Sequence, residues 1–195
     1  MSNIRPIIAT IATVAKYVQL LVTAVAGTDY FVVKGLDRKL LGQRSAALEI
    51  DNESVVEIAA GAFKGLGRLT GVSMSKSKIR VIGESAFERC DSVVAMTFPP
   101  NLVKIPARMC KLCASLTSID LPDVQSIGAE AFLGCRGLKT VRIPASVRYI
   151  DEKAFMNCGL ERVVIEGTDV EIAANAFEGN APNLEIVRPP ESRAA

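Results

Sequence analysis

One ten-residue phrase recurs along this chain at nearly constant spacing. VIGESAFERC at residues 81–90, SIGAEAFLGC at 126–135 and YIDEKAFMNC at 149–158 share one pattern. Each has Ile, then Ala-Phe four and five residues later, then Cys three after the Phe. The pattern extends upstream to Ile58, Ala62 and Phe63 and downstream to Ile172, Ala176 and Phe177. A weaker copy lies between, where Ile105 keeps its offset, Cys110 takes the Phe slot and Cys113 the Cys slot. The Phe slots therefore fall at 63, 87, 110, 132, 155 and 177, at intervals of 22–24 residues. A fixed period of this length means stacked supersecondary units, none of which can bury its apolar side alone.

The second half of each unit is as regular. Six residues past the Phe slot come Leu69, Val93, Leu116 and Leu138; Leu160 and Leu184 sit at five and seven. Three residues further stand Val72, Met96, Ile119, Val141, Val163 and Val187. Two more reach Met74, Phe98, Leu121, Ile143 and Ile165, with Pro following at 99, 122 and 144. This L-x-x-I-x-L-P text alternates with period two and is β-branched, which predicts a short strand. The Pro removes a ladder donor and turns the chain. A second apolar pair, Val124 with Ile127 or Val147 with Ile150, then precedes the next Ala-Phe turn.

The run from Ile127 to Pro144 resembles the BspA-like class of leucine-rich repeats, recognised by I-G-x-x-A-F-x-x-C-x-x-L-x-x-I-x-L-P. The resemblance covers roughly Val55 to Val187. It implies a repeat solenoid of 22–24 residues per coil, made mostly of short β-strands and turns, with strands stacked along one face. Members of that class include surface proteins of bacteria and protists, several of them adhesins. Fold, however, does not fix function.

A seventh, worn copy precedes Val55, with Val33, Leu36, Leu41, Ala47 and Ile50 in the apolar slots and Arg44 in the Cys slot. The expected organisation is an N-terminal apolar segment over residues 1–30, a solenoid over 31–188 and a tail over 189–195. From Ile7 to Ala26 the chain is mostly Ile, Val, Ala and Thr, with Lys16 as its one charge. Three readings remain open for it. As an amphipathic helix it caps the solenoid, with Arg5, Lys16, Gln19 and Thr23 on one stripe. As a secretion signal or membrane anchor it has the length, against the cost of a central Lys. The third is a strand-like end, favoured by its β-branching.

Composition narrows function. The chain has no histidine, which excludes a Ser-His-Asp triad, a Cys-His pair and a His-ligated metal. With 23 Lys+Arg against 21 Asp+Glu, its formal charge of +2 is no footprint for nucleic acid. Cys90, Cys113, Cys135 and Cys158 form a column, one per coil, expected to be buried, reduced and metal-free; Cys110 and Cys113 have no partner pair at metal-site spacing. No cofactor motif appears, and no enzyme is expected. Asn52-Glu53-Ser54 is an N-glycosylation sequon that matters only in a secreted chain.

What remains is a surface. Residues flanking the middle apolar position of each strand point outward. One column reads Ser73, Thr97, Asp120, Arg142, Val164, Arg188; the other reads Gly71, Ala95, Ser118, Thr140, Arg162, Ile186. Ser118, Asp120, Thr140, Arg142, Arg162, Val164 and Arg188 are the candidate protein-binding residues, and three Arg there favour an acidic protein partner. Two functions compete: a surface or adhesion module that binds proteins, and an intracellular structural subunit of a larger assembly. Membrane contact is expected only through Ile7 to Ala26, so localisation is extracellular or cytoplasmic according to what that segment does. Oligomeric state is not legible.

Overall fold

The computed structural model describes residues 20–24, 28–36, 46–50 and 53–189. Each repeat makes one coil: a short strand, a turn carrying the Phe slot, and a second strand. The short strands are β2 (Phe31–Leu36), β4 (Val55–Ile58), β6 (Val81–Ile82), β8 (Lys104–Ile105), β10 (Ser126–Ile127), β12 (Tyr149–Ile150) and β14 (Glu171–Ile172). The second strands are β3 (Ala46–Glu49), β5 (Leu69–Ser73), β7 (Ala95–Thr97), β9 (Ser118–Asp120), β11 (Thr140–Ile143), β13 (Arg162–Ile165) and β15 (Glu185–Val187). Like strands of successive coils pair in parallel, residue on equivalent residue, as in Thr140 with Arg162 and Ile127 with Ile150.

The first ladder opens with β1 (Leu20–Ala24), which pairs antiparallel with β2. The helical cap expected over Ile7 to Ala26 is therefore corrected at Leu20–Ala24. This Leu-Leu-Val-Thr stretch completes the exposed edge of β2, and a free sheet edge offers backbone partners that outweigh a weak helix preference. The rest of that segment lies outside the described residues.

The two strands of the worn copy pair with those of the next coil, in a different register from the expected one. β2 pairs Val33 with Ile58, so Val33 holds the short-strand Ile slot that was expected for Leu36. β3 pairs Ala47 with Gly71 and Leu48 with Val72, so Leu48 is the inward residue and Ala47 the exposed one. Ile50 is buried as expected, and Leu41 and Arg44 lie outside the described residues.

Two interruptions divide the ladders. β6 and β8 belong to separate sheets. At the other coil steps the residue after the short-strand Ile donates its N–H one coil back, for example Gly83 to the Ile58 carbonyl at 2.7 Å and Gly128 to that of Ile105 at 2.9 Å. Pro106 occupies that position and has no N–H, so the bond to the preceding coil is missing. Gly83 also permits close stacking, since a Cβ there would stand 2.2 Å from the Ala60 nitrogen. The second break separates β9 from β11. The turns bridge these steps: the N–H groups of Ser85, Phe87 and Arg89 donate to the carbonyls of Ala107, Met109 and Lys111. This alternation places residues two before and two after the Phe slot at positive φ, including Ser85, Arg89, Arg108, Leu112, Glu130, Lys153 and Asn157.

The core is the stack of inward residues. Phe63 and Phe87 stack at 4.9 Å between ring centroids; Phe132, Phe155 and Phe177 stack at 5.1 and 5.4 Å. The ladder is thus two rings and then three, parted by Cys110. In that coil Met109 stands in the Ala slot and Cys110 in the Phe slot, both fully buried. Large and small have changed places, which conserves core volume.

The cysteine column is buried and unbridged, as expected. It is also a donor ladder. The thiols of Cys90, Cys113, Cys135 and Cys158 donate to the carbonyls of Phe63, Phe87, Cys110 and Phe132, at 3.2, 3.2, 3.1 and 3.0 Å. Each of these carbonyls already accepts an N–H from within its own coil, as Phe132 does from Cys135 at 3.1 Å. The thiol of the next coil fills the second lone pair with a side chain small enough for the space. In the last coil Asn180 takes the role, its Nδ2 donating to Phe155 and Phe177. Burial pushes the Cys135 thiol well up and that of Cys158 up to about 12. Cys110 is also raised well, by its hydrogen bond with Cys113 and then by burial.

Candidate functional site

The second-strand face carries the expected binding residues. On β9, Ser118 and Asp120 pair with Ala95 and Thr97 of β7, and both are exposed. On β11 and β13, Thr140 lies opposite Arg162 and Arg142 opposite Val164. Alternation works as expected: in Thr140–Ile143 the outer and inner residues are exposed and buried in turn. Because β9 and β11 are not hydrogen-bonded to one another, Ser118 and Asp120 sit on one ladder and Thr140 to Val164 on the next.

The last coil departs from the expected columns. β15 pairs Glu185 with Arg162 and Val187 with Val164. Arg188 therefore lies one residue beyond the column that was assigned to it, and Glu185 stands where Ile186 was expected. The strand keeps its usual offset from the Phe slot, Val187 lying ten residues past Phe177 as Arg142 lies past Phe132. The expected column was counted instead from Leu184, which follows the Phe slot by seven residues and not six.

Two of the three Arg, Arg142 and Arg162, are ion-paired. Arg142 pairs with Glu166 of the next coil, its Nε at 2.7 Å and its terminal nitrogen at 2.6 Å from Oε1. Arg162 pairs with Glu185 at 2.7 Å and Lys139 with Glu161 at 3.4 Å. The face around β11 and β13 is an array of inter-coil ion pairs, charged in pattern and neutral in sum. Glu166 and Glu185 were missed from sequence, although each lies one repeat on from its Arg. Of the three Arg behind the expectation of an acidic partner, Arg142 and Arg162 thus already carry a carboxylate of their own chain. Asn52 lies outside the described residues.

Among the described residues, no group of three His, Cys, Asp or Glu is placed to hold a metal ion. No helix there is long and apolar enough to cross a membrane.

The comparisons agree with this geometry. The sequence model for the BspA type leucine rich repeat region matches residues 49–191 in six copies. The chain belongs to this family. Among solved structures, a leucine-rich repeat protein of T. pallidum is 29% identical with a TM-score of 0.70, covering 89% of this chain and 80% of its own. One from Bacteroides ovatus ATCC 8483 is 25% identical at a TM-score of 0.67, over 88% of this chain and 52% of that one. A leucine rich cell surface protein of Faecalibacterium prausnitzii A2-165 shares the fold at 23% identity and a TM-score of 0.54, over 90% of this chain and 39% of that one. This chain thus spans about half of the second and less of the third. The search of curated proteins found no match. Leucine-rich repeats of this family usually mediate protein–protein interaction and are typically non-catalytic.

Proposed function

We propose that this protein is a non-catalytic binding module whose second-strand face, centred on Thr140, Arg142, Arg162 and Val164, contacts a protein partner. The observation that carries the reading is the fixed register of β11 and β13, which holds exposed side chains of adjacent coils about 4.8 Å apart. Ion pairs to Glu166 and Glu185 immobilise both Arg side chains before contact, which lowers the entropy lost on binding. The partner matched to such a face carries alternating charges, because an all-acidic surface would meet the Glu carboxylates as well. The reading as a surface or adhesion protein rests on the family resemblance and on secretion or anchoring through Ile7 to Ala26. A mature N-terminus near Gly27 supports it, and retention of residues 1–26 supports the intracellular assembly role instead.

The test is charge reversal with internal pairing kept. In Arg142→Glu/Arg162→Glu combined with Glu166→Arg/Glu185→Arg, each pair survives with its polarity inverted. Partners recovered by wild type should bind this variant at least about tenfold more weakly, a loss of roughly 1.4 kcal/mol. If every partner binds it equally well, the second-strand face is not the site.

A further inference from the structure

The short-strand side of the solenoid has the opposite electrostatic organisation. Two residues before the inward Ile, successive coils present Arg80, Val103, Gln125 and Arg148, all exposed. The neighbouring position presents Val81, Lys104, Ser126 and Tyr149. The backbone holds the last three of the first column in register: the Gln125 N–H donates to the Val103 carbonyl and the Arg148 N–H to that of Gln125, each at 2.8 Å. Arg80 lies across the break between β6 and β8, which the Ser85, Phe87 and Arg89 turn bonds close. Val81, Val103 and Tyr149 are 49%, 52% and 55% exposed, three of the largest apolar surfaces among the described residues. Arg80, Lys104 and Arg148 enter none of the ion pairs formed among the described residues, whereas Lys139, Arg142 and Arg162 of the other face are each paired.

We propose that this patch, bounded by Arg80 and Arg148, docks an extended acidic peptide lying along the solenoid axis. This surface is distinct from the second-strand face. Three unpaired cations interleaved with exposed valines and a tyrosine fit a ligand that brings carboxylates and apolar groups together. Spacing refines the match. Arg80 and Arg148 are three coil steps apart, roughly 14–15 Å at about 4.8 Å for the two paired steps and a similar pitch for the β6–β8 step, which turn bonds hold in place of strand pairing. In an extended chain, residues i and i+4 lie on the same side and about 13–14 Å apart. Carboxylates at i and i+4 therefore reach the two Arg, while residue i+2 falls over Val103 and Gln125 between them. The patch closes where acids begin, with Glu57 opposite Val81 at one end and Asp151 and Glu171 beside Tyr149 at the other.

The probe is a fluorescein-labelled peptide built on Glu-Thr-Val-Thr-Glu, its threonines keeping the chain extended. Its binding to the full chain is followed by polarisation. Wild type should bind it, more weakly as salt rises from about 0.05 to 0.3 M. Arg80→Glu/Arg148→Glu should lose at least about tenfold in affinity, and Arg80→Gln/Arg148→Gln a smaller part of that. Arg142→Glu/Arg162→Glu should stay within about twofold, which separates this surface from the other. All four positions are exposed, and unchanged circular dichroism confirms folding of each variant. No binding by wild type at millimolar peptide overturns the proposal. So does equal binding by Arg80→Glu/Arg148→Glu, an equal loss in Arg142→Glu/Arg162→Glu, or tighter binding of a single-stranded oligonucleotide of the same charge.

Discussion

Replacing Phe132 by Ala asks whether the coils share one continuous core. The ring is fully buried, stacks on Phe155 at 5.1 Å with an 11° interplanar angle, and meets the Cys110 coil on its other side. Phe→Ala in a packed interior costs about 3–5 kcal/mol, the lost transfer free energy of the ring plus the cavity its neighbours fail to fill. Phe177 offers the contrast. It stacks on Phe155 with one face while the residue is only partly buried, so water reaches the vacated space. Its replacement should cost roughly half as much, about 2 kcal/mol.

For a chain of this size each kcal/mol moves the melting midpoint by about 2–4 °C, so Phe132→Ala should lower Tm by roughly 6–20 °C. Thermal and urea unfolding followed by far-ultraviolet circular dichroism measure both variants. The interruption at Cys110 adds a sharper expectation. A double-mutant cycle between Phe132 and Phe155 should give a coupling of about 0.5–1.5 kcal/mol, and one between Phe87 and Phe132 close to none. Equal, small effects at Phe132 and Phe177 would refute the stacked core. Equal couplings in the two cycles would refute the division of the ladder into two rings and three.

Two further outcomes follow from the core. Cys110→Phe alone overpacks against Met109 and should cost about 1–3 kcal/mol, which the addition of Met109→Ala should largely restore; urea midpoints check this, and purely additive losses would contradict the size exchange. The buried thiols should cost the fold stability in alkaline solution. The folded Cys158 group is raised from an ordinary 9.0 to about 12, so between those values the unfolded thiol ionises while the folded one stays protonated. Its stabilising contribution is complete below about pH 9 and falls by about 1.4 kcal/mol per pH unit up to 12, with Cys110 and Cys135 acting in the same direction. Tm measured from pH 8 upward should fall steeply, less so in Cys158→Ala, and native thiols should react with alkylating reagents only as denaturant is added. An unchanged pH slope in Cys158→Ala would count against a buried protonated thiol.

The parts of this molecule that could be read from sequence are those fixed by one coil and its period. Phe63, Phe87, Phe132 and Phe155 are fully buried because the Ala-Phe turn recurs with the strand text, and the cysteine column followed from the same spacing. Errors arose where a neighbour decides. Leu20–Ala24 is a strand because β2 has an edge to complete, and nothing local distinguishes that from an apolar helix. Val33 slipped by three residues because the worn copy lacks the Ala-Phe-Cys anchor that fixes register elsewhere. Arg188 slipped by one because the column was counted from the displaced Leu184, while the strand itself keeps its usual offset from Phe177. The thiol donors and the pairs Arg142–Glu166 and Arg162–Glu185 join residues more than twenty apart, and only the coil pitch brings them together.

Charge is arranged differently on the two ladders, and the difference bears on what each can recognise. On β11 and β13 each cation meets a Glu of the following coil, so the field cancels within about one Debye length and little long-range steering remains. A partner there must be selected at contact, by the fit of alternating charges. Arg80, Lys104 and Arg148 enter no ion pair among the described residues, with Glu57, Asp151 and Glu171 confined to the patch ends, so a carboxylate ligand meets unpaired cations and its attraction weakens with salt. Neither property is needed for stability. Exposed ion pairs contribute at most about 1 kcal/mol each, and the inward Phe, Ile, Leu and Cys columns are nearly the same in every coil. Outward positions can therefore change coil by coil without disturbing the stack, because each coil contacts only its neighbours. It follows that charge variants at Arg80, Arg142, Arg148 and Arg162 should alter recognition while leaving Tm almost unmoved. Replacements at Phe132 or Cys158 should do the reverse.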